Sequence, residues 1–324
     1  MKAIALISGG LDSTLAAKLI HDLGIEVIPL TFQIPFCHKK KSDFSSVSSS
    51  LGVELRTIKL EEDFLEILKG PGHGFGSQMN PCIDCKILML SKAKELMAEW
   101  GASFVITGEV LGQRPMSQHR HALDIIASSA GLEGLVLRPL SAKLLLETTP
   151  EKMGWVLRDR LLDFNGRGRS QQMKLAKTLG IEKYAQPAGG CLLTDPQFSK
   201  RLKELILHRE LSLGNVDLLK IGRHFRLSES TKLVVGRDEK ENEQLANLAK
   251  AEDYLFMPKE LPGPTSLGRG LFNADLIQLA SVVTCSYCDL NGSNKAEIVF
   301  RKAGKEEILH CEPIGDKEIL PLKI

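Results

Sequence analysis

Short apolar runs alternate with amphipathic stretches through the first half of the chain. The apolar runs are rich in β-branched and aromatic residues and predict buried strands, while helical periodicity predicts helices between them. This alternation predicts an α/β fold with a parallel sheet covered by helices on both faces. The expected strands are 3–7, 25–32, 53–60, 104–107 and 135–138, and the expected helices are 14–23, 44–51, 62–68 and 83–100.

Near Pro196 the pattern changes to a helix, two short strands and a second helix. These elements are expected at 197–208, 224–227, 232–236 and 239–249. We therefore expect two domains, with the parallel sheet in residues 1–200 and a smaller α+β domain in residues 201–324.

The segment Ser8–Ser13, with the sequence S-G-G-L-D-S, joins the first strand to the first helix. Gly9 and Gly10 allow the backbone to approach an anion, and the helix presents unpaired N–H groups and its positive dipole end. The two serines, Ser8 and Ser13, add hydroxyl donors, and Asp12 can hold Mg²⁺ between phosphate oxygens. The lysine of G-x-x-x-x-G-K-[ST] is absent, which argues against an ordinary kinase or GTPase loop. A glycine pair also occurs at such turns without a ligand, but the segment favours a nucleotide phosphate site.

Ligands of parallel sheets bind beyond the carboxyl ends of the strands. Phe32 and Arg138 fall at those ends together with the glycine loop, and Gly108 follows the fourth strand. Arg138 either meets phosphate or forms an ordinary salt bridge. Arg114, in a loop with Gln113, either neutralises phosphate charge or is a surface arginine. Phe32, Gly108 and Arg114 are therefore candidate nucleotide contacts.

Cys82 and Cys85 form a C-x-x-C pair at the start of a predicted helix, and Cys191 follows the small residues P-A-G-G. The pair alone is ambiguous among zinc, redox dithiol and iron–sulfur chemistry. Three thiolates without a fourth partner fit a cluster with one open iron, because structural zinc normally has four protein ligands. Buried, inert cysteine is the alternative for each residue. Asp84, between the first two, either orients magnesium, moves a proton or stabilises the helix dipole.

The composition restricts the class of protein. The chain has 324 residues, of which 43% are hydrophobic, and a net charge of +2. No run of about twenty apolar residues is present, and the first apolar stretch is too short for a signal peptide, so we expect a cytoplasmic protein without a membrane span. Seven cysteines in a reducing compartment favour metal binding or catalysis over a disulfide framework.

Five segments within about residues 1–195 together resemble the PP-loop tRNA thiolation enzymes of the ATP pyrophosphatase family. These segments are S-G-G-L-D-S, N-P-C-I-D-C-K, T-G-E-V-L-G-Q-R-P-M-S-Q, L-R-P-L-S-A-K and P-A-G-G-C-L-L-T. More specifically, they resemble the branch in which a C-x-x-C and one distant cysteine hold a 4Fe-4S cluster.

The resemblance implies an enzyme that uses ATP with Mg²⁺ to adenylate a nucleobase carbonyl of tRNA, with uridine as the expected base, and releases pyrophosphate. Sulfur from sulfide, or from a cysteine desulfurase or sulfur carrier, then replaces the oxygen, and AMP leaves. It implies catalytic roles for Asp12, Cys82, Cys85 and Cys191, with the three cysteines as the cluster ligands. Glu109 stands where some relatives have histidine, so its role is open.

Two alternative functions fit the same residues. In a cluster-free enzyme, Cys85 or Cys191 carries a persulfide and its partner closes a disulfide. In a protein of a different class, the chain is an RNA-binding or tRNA-docking factor with a decayed nucleotide domain. Cys37, near the expected nucleotide edge, either relays a persulfide or is a partly exposed bystander, and the second interpretation is favoured.

Basic residues mark two candidate RNA contacts. Arg167 and Arg169 lie next to glycines and are followed by Lys174, so they either contact a phosphate backbone or form ordinary solvated surface. Segments within about 210–270 resemble the RNA-binding domain at the end of NFACT proteins. The resemblance implies that arginines of this domain contact tRNA, and the alternative is that they form a salt-bridge network at a strand edge. The residues concerned in that domain are Arg223, Arg226 and Arg237.

A second group of cysteines lies near the end of the chain. Cys285 and Cys288, with His310 and Cys311, supply four ligands of the type that Zn²⁺ accepts. The first pair instead suits packing on one helix face, because residues three apart share a face.

Overall fold

The computed structural model describes residues 1–37, 44, 47, 51–181, 184 and 190–324. These residues form two compact units, Met1–Asp195 and Pro196–Ile324. The short helix expected over 44–51 and the P-A-G-G segment before Cys191 lie largely outside the described residues.

The first unit contains a five-stranded sheet in the order β3-β2-β1-β4-β5, and all its strand pairs are parallel. The fully buried β4 and the largely buried β1 lie at the centre because their side chains are apolar on both faces. The predicted fold class of this unit is confirmed. The strands are β1 (Lys2–Leu6), β2 (Glu26–Gln33), β3 (Arg56–Lys59), β4 (Phe104–Thr107) and β5 (Val136–Leu137).

Helices connect these strands and also follow the last of them. They are α1 (Leu11–His21), α2 (Glu62–Lys69), α3 (Cys82–Trp100), α4 (Arg120–Ser129), α5 (Thr149–Lys152) and α6 (Ser170–Thr178). The chain leaves β1 towards β2 on one side, and β4 and β5 lie on the other side. The connections after β1 and β4 therefore diverge, which opens a crevice at the carboxyl edge of the sheet.

The second unit contains a six-stranded antiparallel sheet in the order β11-β10-β8-β9-β7-β6. Its helices are α7 (Pro196–Leu207), α8 (Leu213–Leu218), α9 (Glu239–Leu248), α10 (Ala274–Cys285) and α11 (Asp316–Ile319). Its strands are β6 (Arg223–Ser228), β7 (Thr231–Val235), β8 (Tyr254–Pro258), β9 (Ser266–Gly270), β10 (Ala296–Lys302) and β11 (Lys305–Cys311). Phe225, Phe256 and Val283 belong to one buried core that joins the sheet to α10. This unit is the expected α+β domain.

Short 3₁₀ helices occupy Ala142–Leu144, Arg158–Arg160, Leu192–Thr194 and Leu320–Leu322. Among the described helices, none is long and apolar enough to cross a membrane.

Candidate nucleotide and sulfur site

The glycine loop lies between β1 and α1, at the crevice. Gly9 has a φ of +75°, a conformation that favours glycine, and Gly10 begins the helix without a side-chain cap. The Ser13 hydroxyl donates to the Gly10 carbonyl at 2.9 Å and accepts from the Ser8 backbone N–H at 3.1 Å. Ser13 is therefore used mainly to hold the loop, while Ser8 is exposed and the first N–H groups of α1 have no side-chain cap.

Asp12 lies in the first turn of α1. Its Oδ2 accepts a hydrogen bond from Gln113 Nε2 at 2.9 Å, so the loop after β4 does reach this edge. Its Oδ1 is buried and has no hydrogen-bond partner in the described part of the chain. A carboxylate oxygen left in this state suits a Mg²⁺ ion, which binds oxygen ligands.

Gly108, at the end of β4, lies against the glycine loop. A Cβ atom added to it would come within 2.4 Å of the Ser13 backbone nitrogen, so a side chain cannot fit without displacing main chain. Gly108 thus sets how closely β4 approaches α1. The sequence identified it only as a nucleotide contact, which stays a prediction.

Glu109 follows directly and is 3% exposed. It accepts hydrogen bonds from Thr107 Oγ1 and Arg138 Nε, both at 3.0 Å, and pairs with Lys86 Nζ at 3.0 Å. Burial alone would raise the pKa of Glu109, but Lys86 and Arg138 outweigh it and lower the pKa to about 2. Of the two interpretations of Arg138, the structure shows the salt bridge, to a glutamate whose role the sequence left open.

Three chain segments meet at the start of α3. Met79 N donates to the Leu193 carbonyl at 3.1 Å, and Leu192 N donates to the Phe36 carbonyl at 2.9 Å. Cys191 is thereby placed in an antiparallel bridge opposite Cys37. The helix itself begins at Cys82, as predicted for the C-x-x-C pair.

The thiols have distinct surroundings. Cys82 Sγ accepts a hydrogen bond from Asn80 Nδ2 at 3.2 Å. Cys191 is hydrogen-bonded to Cys37; this contact, followed by burial, raises the pKa of the Cys191 thiol above its usual value, and Cys85 adds to the effect. Cys37, Cys85 and Cys191 therefore share one region. Cys37 is partly exposed, as expected, and contacts Cys191, while its role as a bystander stays a prediction.

The thiol chemistry of Cys82, Cys85 and Cys191 suits an iron–sulfur cluster, but their arrangement is incomplete for one. Within the described ranges, no three His, Cys, Asp or Glu side chains are grouped as metal ligands. Cys191 would have to exchange its contact with Cys37 for iron. The cluster therefore stays a prediction.

Asp84 anchors the loop before α3. Its carboxylate accepts from the His73 backbone N–H at 3.1 Å, and its other oxygen lies 3.0 Å from His73 Nδ1. A carboxylate in the first turn of α3 also faces the positive end of the helix dipole. The sequence did not identify His73, although its position eleven residues before Asp84 in a glycine-rich loop was a usable signal.

The remaining candidate nucleotide contacts differ in exposure. Arg114 is exposed, whereas Phe32 is buried within β2 with 8% exposure. Arg114 can therefore reach a bound phosphate more readily than Phe32 can reach a base without side-chain movement.

The basic residues near α6 are available to a ligand. Arg167 and Lys174 are exposed and Arg169 is partly exposed. None of the three forms an ion pair with any acidic residue that the structure describes. They suit contact with a phosphate backbone.

In the second unit the arginines are largely paired. Arg226 pairs with Glu204 and with Glu210, and its side chain is 14% exposed. Arg223 donates a hydrogen bond to the Gly236 carbonyl, and its guanidinium lies over the Tyr287 ring. Arg237 pairs with Glu241, and its side chain is half exposed. Arg237 therefore has the most exposed guanidinium of the three.

Of the four residues suggested for zinc, the three cysteines lie in one core, whereas His310 does not join them. Cys285 and Cys311 are buried, and burial raises the pKa of both thiols, as it does for Cys288. His310 is 75% exposed and lies 3.7 Å from Glu297. Neighbouring residues in a strand point to opposite faces, so His310 cannot share a site with Cys311 here. His310 is therefore not positioned as a fourth ligand, and zinc binding stays a prediction.

Residues 1–143 match the family model for the thiamine biosynthesis protein (ThiI), and residues 222–321 match the model for the NFACT protein RNA binding domain. The chain resembles PP-loop tRNA sulfurtransferases. Both predicted resemblances are thereby confirmed.

Individual proteins match parts of the chain. A probable tRNA sulfurtransferase of Thermococcus kodakarensis is 30% identical over 148 residues, which are 43% of this chain and 36% of the relative. The tRNA-specific 2-thiouridylase MnmA of Pelobacter propionicus is 30% identical over 117 residues, 33% of each chain. The chain thus spans about a third of the length of these curated relatives. A solved 4-thiouridine synthetase–RNA complex with bound ATP has a TM-score of 0.42 at 20% identity, covering 68% of this chain and 52% of its own.

Proposed function

We propose that this protein is an ATP-dependent tRNA sulfurtransferase that adenylates a nucleobase carbonyl, with uridine as the expected base, and replaces its oxygen with sulfur. One observation carries the proposal. Gly108 lies against Ser13 of the glycine loop, and the next residue, Glu109, pairs with Lys86, which directly follows Cys85. Residues suited to nucleotide activation and residues suited to sulfur chemistry are thus joined within a few residues at one edge of the sheet.

Activation is the task of the loop. A carbonyl oxygen is a poor leaving group, and adenylation converts it to the good leaving group AMP. The uncapped N–H groups of α1 and the exposed Ser8 hydroxyl would bind phosphate oxygens, and Asp12 would hold Mg²⁺. Lys86 and Arg138 together exceed the charge of Glu109 by one, so this edge favours an anionic ligand.

Sulfur transfer is the task of the cysteines. Cys82, Cys85 and Cys191 would hold a 4Fe-4S cluster, which when bound supplies a metal that keeps sulfur in its deprotonated, nucleophilic form. In the cluster-free alternative the same thiols carry sulfur as a persulfide. The hydrogen bond between Cys37 and Cys191 is compatible with that alternative.

The proposal is tested with unmodified tRNA, ATP and Mg²⁺ under anaerobic conditions, in parallel with sulfide and with a persulfide donor. We expect tRNA-dependent formation of AMP and pyrophosphate, and thionucleosides in the digested tRNA by mass spectrometry. Asp12→Ala should lose AMP formation by about 100-fold or more while it keeps its thiols and iron content, because its carboxylate positions the metal on the phosphates. Wild-type protein that forms no AMP would instead support a non-catalytic RNA-binding factor. Iron analysis of the anaerobic preparation separates the cluster from the persulfide mechanism.

We also propose that tRNA contacts the exposed basic residues near α6. Arg167→Ala with Arg169→Ala is expected to weaken tRNA binding about tenfold or more and to lower the slope of log K against log salt by about 2, because two phosphate contacts are lost. Filter binding at several salt concentrations measures both quantities. The matched control is Lys69→Ala with Lys92→Ala, which removes the same charge from exposed lysines paired with neighbouring glutamates. An equal change in the control would assign the effect to net charge alone.

A further inference from the structure

Cys37 and Cys191 face each other across two short extended segments. The hydrogen bond of this bridge is made by flanking residues, from Leu192 N to the Phe36 carbonyl, so the two cysteines form a non-hydrogen-bonded pair. Opposed residues of this kind have Cα atoms about 4.5 Å apart. That separation lies within the range of about 4.4–6.8 Å that a disulfide bond spans.

The positions of the two side chains also favour a disulfide bond. The two thiols are already hydrogen-bonded to each other. Both cysteines are partly exposed, so a small reagent in solution can reach them. A bond between them requires neither movement of a helix nor a change of strand register.

We propose that Cys37 and Cys191 form a reversible disulfide that withdraws Cys191 from the sulfur site. The oxidant is a small-molecule disulfide such as oxidised glutathione. One cysteine thiolate attacks the oxidant, forms a mixed disulfide and releases one thiol. The second cysteine then attacks the protein sulfur of that mixed disulfide and releases the other thiol. Two protein thiols are oxidised, the two-electron reduction yields two small thiols, and the two protons pass to these products.

The bond itself does not depend on the proposed function, whereas its effect on thiolation does. While the disulfide is present, Cys191 can neither ligate iron nor carry a persulfide, because its sulfur has no free valence. An oxidising environment would thus stop sulfur transfer, and a reducing one would restore it. Cys85 is not consumed by this bond.

The disulfide is tested on the full chain in glutathione buffers from fully reduced to fully oxidised, followed by alkylation, trypsin and mass spectrometry. Trypsin places Cys37 in residues 19–39 and Cys191 in residues 184–200, each with a single cysteine, so the linked peptide is unambiguous. We expect it in more than half of the chains at the oxidising end, and its loss after dithiothreitol. Alkylation of Cys37 throughout the titration, or a bond from Cys191 to Cys85 instead, would overturn the proposal.

The effect of the disulfide on the proposed reaction is tested by measuring tRNA thiolation in the same glutathione buffers. Wild-type thiolation should fall in proportion to the fraction of chains that carry the linked peptide, about twofold or more at the oxidising end, and Cys37→Ser should keep its activity over the same range. Cys37→Ala replaces it if the serine variant does not fold. A disulfide that forms without any loss of thiolation would overturn the withdrawal of Cys191. If the reduced wild-type protein does not thiolate tRNA, the proposed function fails. The disulfide proposal is then still decided by the linked peptide, together with a comparison of iron uptake by the reduced and the oxidised protein.

Discussion

Cys85→Ala and Cys191→Ala are each expected to lower thionucleoside formation by about 10³-fold or more, because loss of a nucleophile or of its carrier removes the pathway for the reaction. ATP cleavage should persist, since the glycine loop and Asp12 are not altered. The measurement compares thionucleosides with AMP in the same reaction mixture.

The matched control is Cys288→Ala, which removes a thiol from the second unit and should leave both products unchanged. A Cys191→Ala protein with full thiolation and full iron content would exclude Cys191 as a ligand and as a sulfur carrier. Parallel loss of AMP and thionucleosides would indicate that Cys191 is needed for the fold of the crevice.

Glu109→Gln is expected to lower the free energy of unfolding of the first unit by about 3–5 kcal/mol at pH 7, because it leaves Arg138 buried without its counter-charge. The folded-state pKa of Glu109, about 2, lies below its ordinary value of 4.5. Its contribution to stability is therefore complete above pH 4.5 and is lost as the pH falls towards 2. The difference between wild type and variant should shrink over that window.

Urea denaturation followed by tryptophan fluorescence measures this effect. Both tryptophans, Trp100 and Trp155, lie in the first unit, so the signal reports that unit. Glu66→Gln removes a solvent-exposed partner of Lys69 and serves as the control, with little change expected. An equal loss in both variants would mean that the Glu109 ion pairs contribute no more than a surface pair.

The sequence was most informative where one face or both faces of an element are apolar. The four residues of β4 were predicted with their correct bounds, and β1, β2 and α3 within a residue. The strands β8, β9, β10 and β11 were not predicted. β9 contains two glycines and β11 is largely charged and exposed, so both depend on pairing with strands distant in sequence.

In the candidate site, local sequence patterns identified the glycine loop and the C-x-x-C pair. They did not identify pairs of residues that are distant in sequence. Cys37 and Cys191 are brought together by the backbone bridge between their segments, which no spacing rule encodes. The available signal was the position of Cys37 just beyond β2, at the edge where ligands of parallel sheets bind. For Arg138 the sequence allowed phosphate or carboxylate as partner, and burial beside Glu109 decided between them.

The contact of Gly108 with the main chain of Ser13 has a consequence for how the two chemistries can vary. Side chains change rotamers and tolerate substitution, but two backbones in contact do not move apart without moving their whole elements. Glu109 follows this contact and pairs with Lys86, so one main-chain contact and one ion pair together set the spacing between the loop and the C-x-x-C helix. Changes elsewhere in the crevice can therefore alter the shape of the site while the distance from the glycine loop to the C-x-x-C helix stays nearly constant.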